Sequence, residues 1–235
     1  MGNHELRERL RRLGLKRGAQ GLAPRRKPRG GAIEELLAGE VVETGLGPFF
    51  LYREIYDTAY LHGDLALDSL LAQSPATLAH LARDPRLVEV DLRRIAFVDT
   101  ETTGLAGGTG TYAFLIGVGR FEGDQFAIHQ FFMRDYPEEP AQLQALGELF
   151  DGLEAVVSFN GKSFDLPLLE TRFIMTRQAP RLPDAPHLDL LPPARRRWKY
   201  RLAACALSSR EGEVLGVPRT HADGPGWYIP SLDME

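Results

Sequence analysis

From residue 93 to residue 190 the chain is patterned so regularly that few folds remain open to it. Three apolar runs of strand length, residues 95–98, 113–118 and 126–133, follow one another through short links. The last two are parted by Phe121-Glu-Gly-Asp124, a tight-turn signature. Residues 138–153 then carry Leu143, Leu146, Leu149 and Phe150 at helical spacing, which predicts an amphipathic helix. Residues 155–159 read as a strand and residues 164–176 as a helix, with Leu168, Leu169, Phe173 and Ile174 toward the core. A short strand is expected at 188–190, and a last helix at 207–215, ended by Gly216. Three linked strands followed by helix, strand, helix and strand predict an α/β fold with a mixed sheet, antiparallel first and parallel afterwards.

The first of those strands ends in chemistry. In Arg94-Ile-Ala-Phe-Val-Asp-Thr-Glu-Thr-Thr-Gly-Leu105 the apolar residues give way to Asp99 and Glu101. Side chains two apart on a strand share a face, so both acids aim at one spot. Like charges held together at a core edge are costly unless a cation lies between them, and hard oxygen ligands suit Mg²⁺ or Mn²⁺. The same pair also arises as a solvated strand end. A third acid comes from Val157-Ser-Phe-Asn-Gly-Lys-Ser-Phe-Asp-Leu-Pro-Leu-Leu169. Asn160 and Gly161 break the strand, Ser163 is placed to cap the helix, and Asp165 falls in its first turn, where the helix dipole favours a negative group. If the two strands are neighbours, Asp165 approaches Asp99 and Glu101 from the side, at the carboxyl ends of the strands where α/β sheets gather ligands.

Before this region the pattern is plainer. Residues 32–37 read as a short helix, 40–44 and 49–54 as strands around Gly45-Leu-Gly-Pro48. Residues 65–71 and 75–83 read as helices, the second capped by Ser74 with Pro75 at its first position. The lead-in, residues 32–92, is expected to pack on the main domain, residues 93–235.

Charge divides the chain. Residues 1–31 hold ten Lys or Arg and two acids, and taking that +8 from the net −4 leaves −12 on the rest. A basic arm on an acidic body suits a nucleic-acid tether; a tail rich in Arg, Gly and Pro is also simply disordered. A second basic stretch, Arg195-Arg196-Arg197-Trp198-Lys-Tyr-Arg201, interleaves aromatics with cations. It reads equally as a phosphate-and-base-stacking surface or as a solvated helix with Trp198 turned inward. The single cysteine, Cys205, excludes an internal disulfide and fits a reducing cytoplasm. No apolar run approaches the ~20 residues of a membrane span. Asn160 reads as a turn residue and Phe164 as core; His187 and His221 are loop histidines of a kind that seldom act as ligand or base.

The paired motifs Asp99-Thr-Glu101-Thr-Thr-Gly-Leu105 and Asn160-Gly-x-x-Phe-Asp165-x-Pro-x-Leu resemble the first two motifs of the DEDD 3′–5′ exonucleases, which have a ribonuclease-H-like fold. The fuller resemblance is to the YprB-like ribonuclease-H-like domain. It adds Ala106-Gly-Gly-Thr-Gly-Thr-Tyr-Ala-Phe-Leu-Ile-Gly117, His187-Leu-Asp-Leu-Leu191 and Asp223-Gly-Pro-Gly-Trp-Tyr-Ile-Pro230, and covers about residues 93–230. It implies helices on both faces of the sheet and a nuclease that takes single-stranded DNA or RNA with two Mg²⁺ or Mn²⁺ ions about 4 Å apart. Asp99 would bridge the ions, Glu101 would bind one and help place water, and Asp165 would hold the second. Thr103, Gly104 and the glycines at 107–110 would admit the terminal nucleotide, with Asn160 and Phe164 against its sugar or base. The family carries a fourth aspartate on a later helix, which the sequence to Glu235 does not supply. Asp189, Asp223 and Asp233 lie in strand or loop settings and do not replace it. The expectation is a domain with its final helix absent, weakly active or inactive, holding one ion better than two; the alternative is a binding module without activity.

Overall fold

The computed structural model describes residues 33–104, 109–179, 185–198 and 216–217. The basic arm and the expected helix at 207–215 lie outside the described residues.

A seven-stranded sheet carries the fold, in the order β1-β2-β7-β6-β5-β8-β9. Its centre is β5, Ile95–Thr102. β6, Ala113–Glu122, and β7, Gln125–Phe132, extend it antiparallel on one side. β8, Ala155–Ser158, and β9, His187–Asp189, extend it parallel on the other. The antiparallel-then-parallel order read from the sequence is therefore the observed one. Glu122 pairs with Gln125 across a two-residue turn, where Gly123 takes φ 61°, a conformation open to glycine at little cost.

β1, Glu40–Thr44, and β2, Gly47–Asp57, form the hairpin expected of the lead-in, but β2 pairs along its length with β7. These strands are the outer part of the main sheet. A second sheet, β3, Leu61–His62, with β4, Leu65–Ala66, followed by a 3-10 turn at Leu67–Leu70, replaces the helix expected at 65–71. The apolar spacing there is equally served by a tight hairpin and one short turn, and the segment is too short for helix nucleation to be offset by propagation.

Each face of the sheet has its own core, as strand alternation requires. Ala96, Val98, Ile116, Val118, Phe131 and Val156 face one way. They pack under Leu143, Leu146 and Phe150 of helix Glu139–Phe150 and under Leu168, Leu169 and Phe173 of helix Asp165–Met175. Ile95, Ala155, Val157 and Leu188 face the other, with Phe97 beside them, under Leu78 and Ala79 of helix Pro75–Ala82 and under Leu87, Val90 and Leu92. The helices are α1, Ile33–Leu36; α2, Pro75–Ala82; α3, Glu139–Phe150; α4, Asp165–Met175; and α5, Leu191–Trp198. Ser74 caps α2 as read, accepting from the Ala76 amide, with Pro75 behind it.

Candidate active site

β5 is longer than its apolar run. It continues to Thr102, so Asp99 and Glu101 lie on the strand itself, in the row begun by Ile95 and Phe97. β8 is shorter: its last rung with β5 is Phe97–Val157. Past that rung, among the described residues, the β8-side edge of β5 has no strand partner. The unpaired edge is a notch, and the turn after β8 fills it.

That turn is held from three directions. Asn160 reverses the chain at φ 71°, a left-handed conformation that asparagine tolerates, and so is the turn residue expected. Asp189, at the end of β9, accepts from the amides of Asn160 at 2.8 Å, Lys162 at 3.1 Å and Leu191 at 2.9 Å. One buried carboxylate thereby fixes the turn and the start of α5. Ser158 accepts from the Gly161 amide at 3.1 Å and pairs with His187 Nε2 at 2.8 Å. Burial holds the His187 pKa below its ordinary value, with Lys162 adding to the effect and Asp189 opposing it. A Cβ on Gly161 would stand 2.4 Å from Ser158 Oγ and 3.1 Å from Asp165 Oδ2, so the position has room only for glycine.

The turn delivers Asp165 as the first residue of α4, 5% exposed. Ser163, read as the cap, is not it; Phe164 precedes the helix and caps it with no side chain, and it is only half-buried. Thr100, between the two acids of β5 and on the opposite face from them, donates to Asp165 Oδ1 at 2.5 Å. Asp165 thus enters the notch from the α3–α4 side. Its charge nonetheless reaches Glu101. Burial first, and the Asp165 charge second, push the Glu101 pKa up. Burial likewise pushes Asp165 up, opposed by the Thr100 hydroxyl and by backbone amides and reinforced by Asp189. Asp165 is near enough to Glu101 for its charge to act there, and Asp99 shares the strand face of Glu101.

The chain after β5 is clamped close by. The Thr103 amide donates to Tyr112 O at 3.0 Å, and the Tyr112 amide returns to Thr103 Oγ1 at 3.1 Å. Arg172 of α4 lies 3.9 Å over the Tyr112 ring, donates to Thr109 O at 2.7 Å, and forms a two-pronged pair with Glu139 of α3 at 2.5 and 2.6 Å. Gly104 has open space where a Cβ would go. A cleft of about 250 Å³ beside Thr103 is lined by Phe114, Met133, Arg134, Asp135 and Tyr136. Arg195, Arg196 and Arg197 stand exposed in the last turn of α5, with Trp198 half-buried after them.

Sequence reading gave no role to Thr100, Ser158 or Arg172, and it did not show that Gly161 leaves room for Asp165 or that Asp189 binds amides. The alternation that pairs Asp99 with Glu101 also sends Thr100 to the helix-covered face, and that signal was available. Asp189, read from the sequence as no replacement for a fourth ligand, has its oxygens engaged by three amides. Asp223 and Asp233 lie outside the described residues.

Among the described residues, no three side chains of His, Cys, Asp or Glu stand close enough to hold a cation ready-made. The pair itself fits one. Both groups are hard oxygen donors, both are disfavoured as anions by burial, and no cationic side chain among the described residues pairs with either.

Comparison with known proteins adds two findings. The family model described as RNase_H superfamily matches residues 96–232. Over 137 residues, 58% of this chain, the sequence is 39% identical to a Bacillus subtilis (strain 168) protein named "Uncharacterized protein YprB". The match spans 33%, about a third, of that relative's length. Among the described residues, no helix is long and apolar enough to cross a membrane.

Proposed function

Because this chain belongs to the RNase H superfamily, we propose that it is a metal-dependent nuclease that hydrolyses phosphodiester bonds from the 3′ end of single-stranded DNA or RNA. The observation that carries the reading is the Glu101–Asp165 pair: a half-buried and a buried carboxylate at the carboxyl end of a central strand, each pushed toward protonation by burial, with the Asp165 charge acting on Glu101.

Asp99, Glu101 and Asp165 would hold Mg²⁺ or Mn²⁺. A bound divalent cation supplies positive charge to a phosphate oxygen and a hydroxide-like water at neutral pH. The protein's own part is to hold the ligands still. Thr100 fixes one Asp165 oxygen, Asp189 and Ser158 fix the turn that presents Asp165, and Gly161 leaves the space its carboxylate occupies. Thr103 and Gly104 would admit the nucleotide's sugar-phosphate, a role supported by the open space at the Gly104 Cβ position, and Asn160 and Phe164 would lie against its sugar or base.

A second reading, a binding module without activity, is favoured by one observation: the described acids do not form a three-ligand cluster. One experiment separates the two. With a 5′-labelled single strand, DNA or RNA, and Mn²⁺ or Mg²⁺, a nuclease gives a ladder shortening from the 3′ end, and Asp165→Asn stops it while binding persists. Mn²⁺ should also raise the Tm, by the equivalent of about 2.7 kcal/mol at a hundredfold excess over Kd, and Asp165→Asn should remove that shift. Tight binding with no cleavage under either ion establishes the binding module instead.

A further inference from the structure

Among the described residues and outside the acid site, arginines gather at a cleft of about 510 Å³ between α2 and α5, lined by His80, Leu81, Arg83, Pro193, Arg196 and Arg197. Of the twelve arginines among the described residues, six form ion pairs with acids: Arg53, Arg86, Arg94, Arg120, Arg134 and Arg172. Four of the other six, Arg83, Arg195, Arg196 and Arg197, stand at this cleft or in the same helical turn as its wall. On a body that carries −12, arginines left without acids in one place are a concentration of field, not an average of the surface.

The cleft is built. Arg196 Nη2 donates to Leu81 O, the exposed carbonyl near the end of α2, at 2.5 Å, which joins the two walls and still leaves guanidinium donors facing out. Arg83 leaves the end of α2 at φ 56°, which turns the chain away beneath its side chain. The cleft also connects to the acid site. The α2 wall sits over the sheet face that carries Ile95 and Phe97, the row that Asp99 and Glu101 continue, and α5 packs on α2. Lys162, on the turn that delivers Asp165, is near enough to Asp84, the neighbour of Arg83, for its charge to act there, and it acts on His187 as well.

We propose that the α2–α5 cleft holds the phosphate backbone of a nucleic-acid strand whose end lies at Glu101 and Asp165, with Arg83 and Arg197 as its phosphate contacts. The proposal rests on the nuclease reading for the identity of the strand. It goes beyond that reading by assigning one wall to α2, which lies before the segment matched to the family. Basic groups at helix C-termini also offset the helix dipole without any ligand, and the test must separate that role from this one.

The measurement is the affinity of the full chain for a labelled single-stranded oligonucleotide in EDTA, as a function of salt. Each neutralised phosphate on a single strand contributes about 0.7 to the slope of log affinity against log salt, so Arg83→Gln with Arg197→Gln should flatten it by about 1.4. Arg177→Gln is the matched control: Arg177 is also exposed, also follows a helix, also takes a left-handed φ, at 61°, and lies away from the cleft. It should leave the slope unchanged, and Arg83→Lys with Arg197→Lys should restore most of it. Equal slopes for the cleft and control variants would overturn the proposal, since the arginines would then act only through overall charge or the helix ends. Displacement of the oligonucleotide by inorganic phosphate at concentrations that leave the salt slope intact would overturn it too, in favour of a small-anion pocket. If the wild type binds with the cleft-dependent slope but cuts nothing with Mn²⁺, the nuclease reading fails and the cleft stands.

Discussion

Thr100 shows how much a single hydroxyl decides here. It lies between two carboxylates in sequence and bonds to a third in space. Replacing it with valine keeps the shape and removes one of the donors that hold the buried Asp165 carboxylate. Thr100→Val should cost about 1–3 kcal/mol in urea unfolding, the penalty of taking a donor from a buried carboxylate, and should lower any metal-dependent cleavage with it. Thr100→Ser keeps the hydroxyl and should retain most of both. Equal stability for the valine and serine variants would mean that the bond to Asp165 contributes nothing.

At the scale of elements, the site is a junction of strands and helices pinned by ion pairs and amides. The α3–α4 contact includes Arg172 and Glu139, exposed by only 3% and 5%, and Arg172 also holds Thr109 and Tyr112 of the chain after β5. A buried pair is costly to form and more costly to break. Glu139→Gln should therefore destabilise the fold by about 3–5 kcal/mol, because it leaves the Arg172 charge buried without its partner. Removing both charges, as in Arg172→Met with Glu139→Leu, should recover most of that loss. The amide of Tyr112 should still exchange faster in the double variant, since the clamp on its loop is gone. Unchanged exchange at Tyr112 would confine Arg172 to joining the two helices.

At the scale of the molecule, charge and titration set the conditions. Burial lowers the pKa of both His129 and His187, with Lys162 adding at His187 and Arg53 and Arg120 adding at His129, while Glu122 and Asp189 pull the other way. The folded protein thus prefers both neutral, and below pH of about 6.5 the unfolded chain binds more protons than the folded one. This part of the stability is whole above that pH and falls as the pH drops through the lowered folded values. His129→Gln and His187→Gln should each flatten the decline in a pH series of thermal unfolding, and a decline unaltered by both would assign it to other groups. The basic arm acts at the same scale. Deleting residues 1–31 removes +8, and if the arm tethers nucleic acid the affinity should fall and its salt slope should flatten. An unchanged slope would make the arm a bystander to binding.

The sequence by itself determined the layers. Period-two and helical spacing are local properties, and they located the three antiparallel strands, the two helices that cover them and the shared face of Asp99 and Glu101. Locality is also why residues 65–71 were misread and why Ser163 was taken for a cap: short segments carry the same pattern in more than one state, and their choice is made by what packs on them. Only the tertiary structure decided that the lead-in hairpin is part of the main sheet, because β2 and β7 meet across more than sixty residues of chain. Likewise, only it set the pairing of β8 with β5 to end at Phe97, opening the notch that Asp165 enters, and gave Asp189 to three amides instead of to a cation. Register between distant strands and the partner a buried carboxylate takes are settled by packing and desolvation over the whole molecule, and no window of sequence contains them.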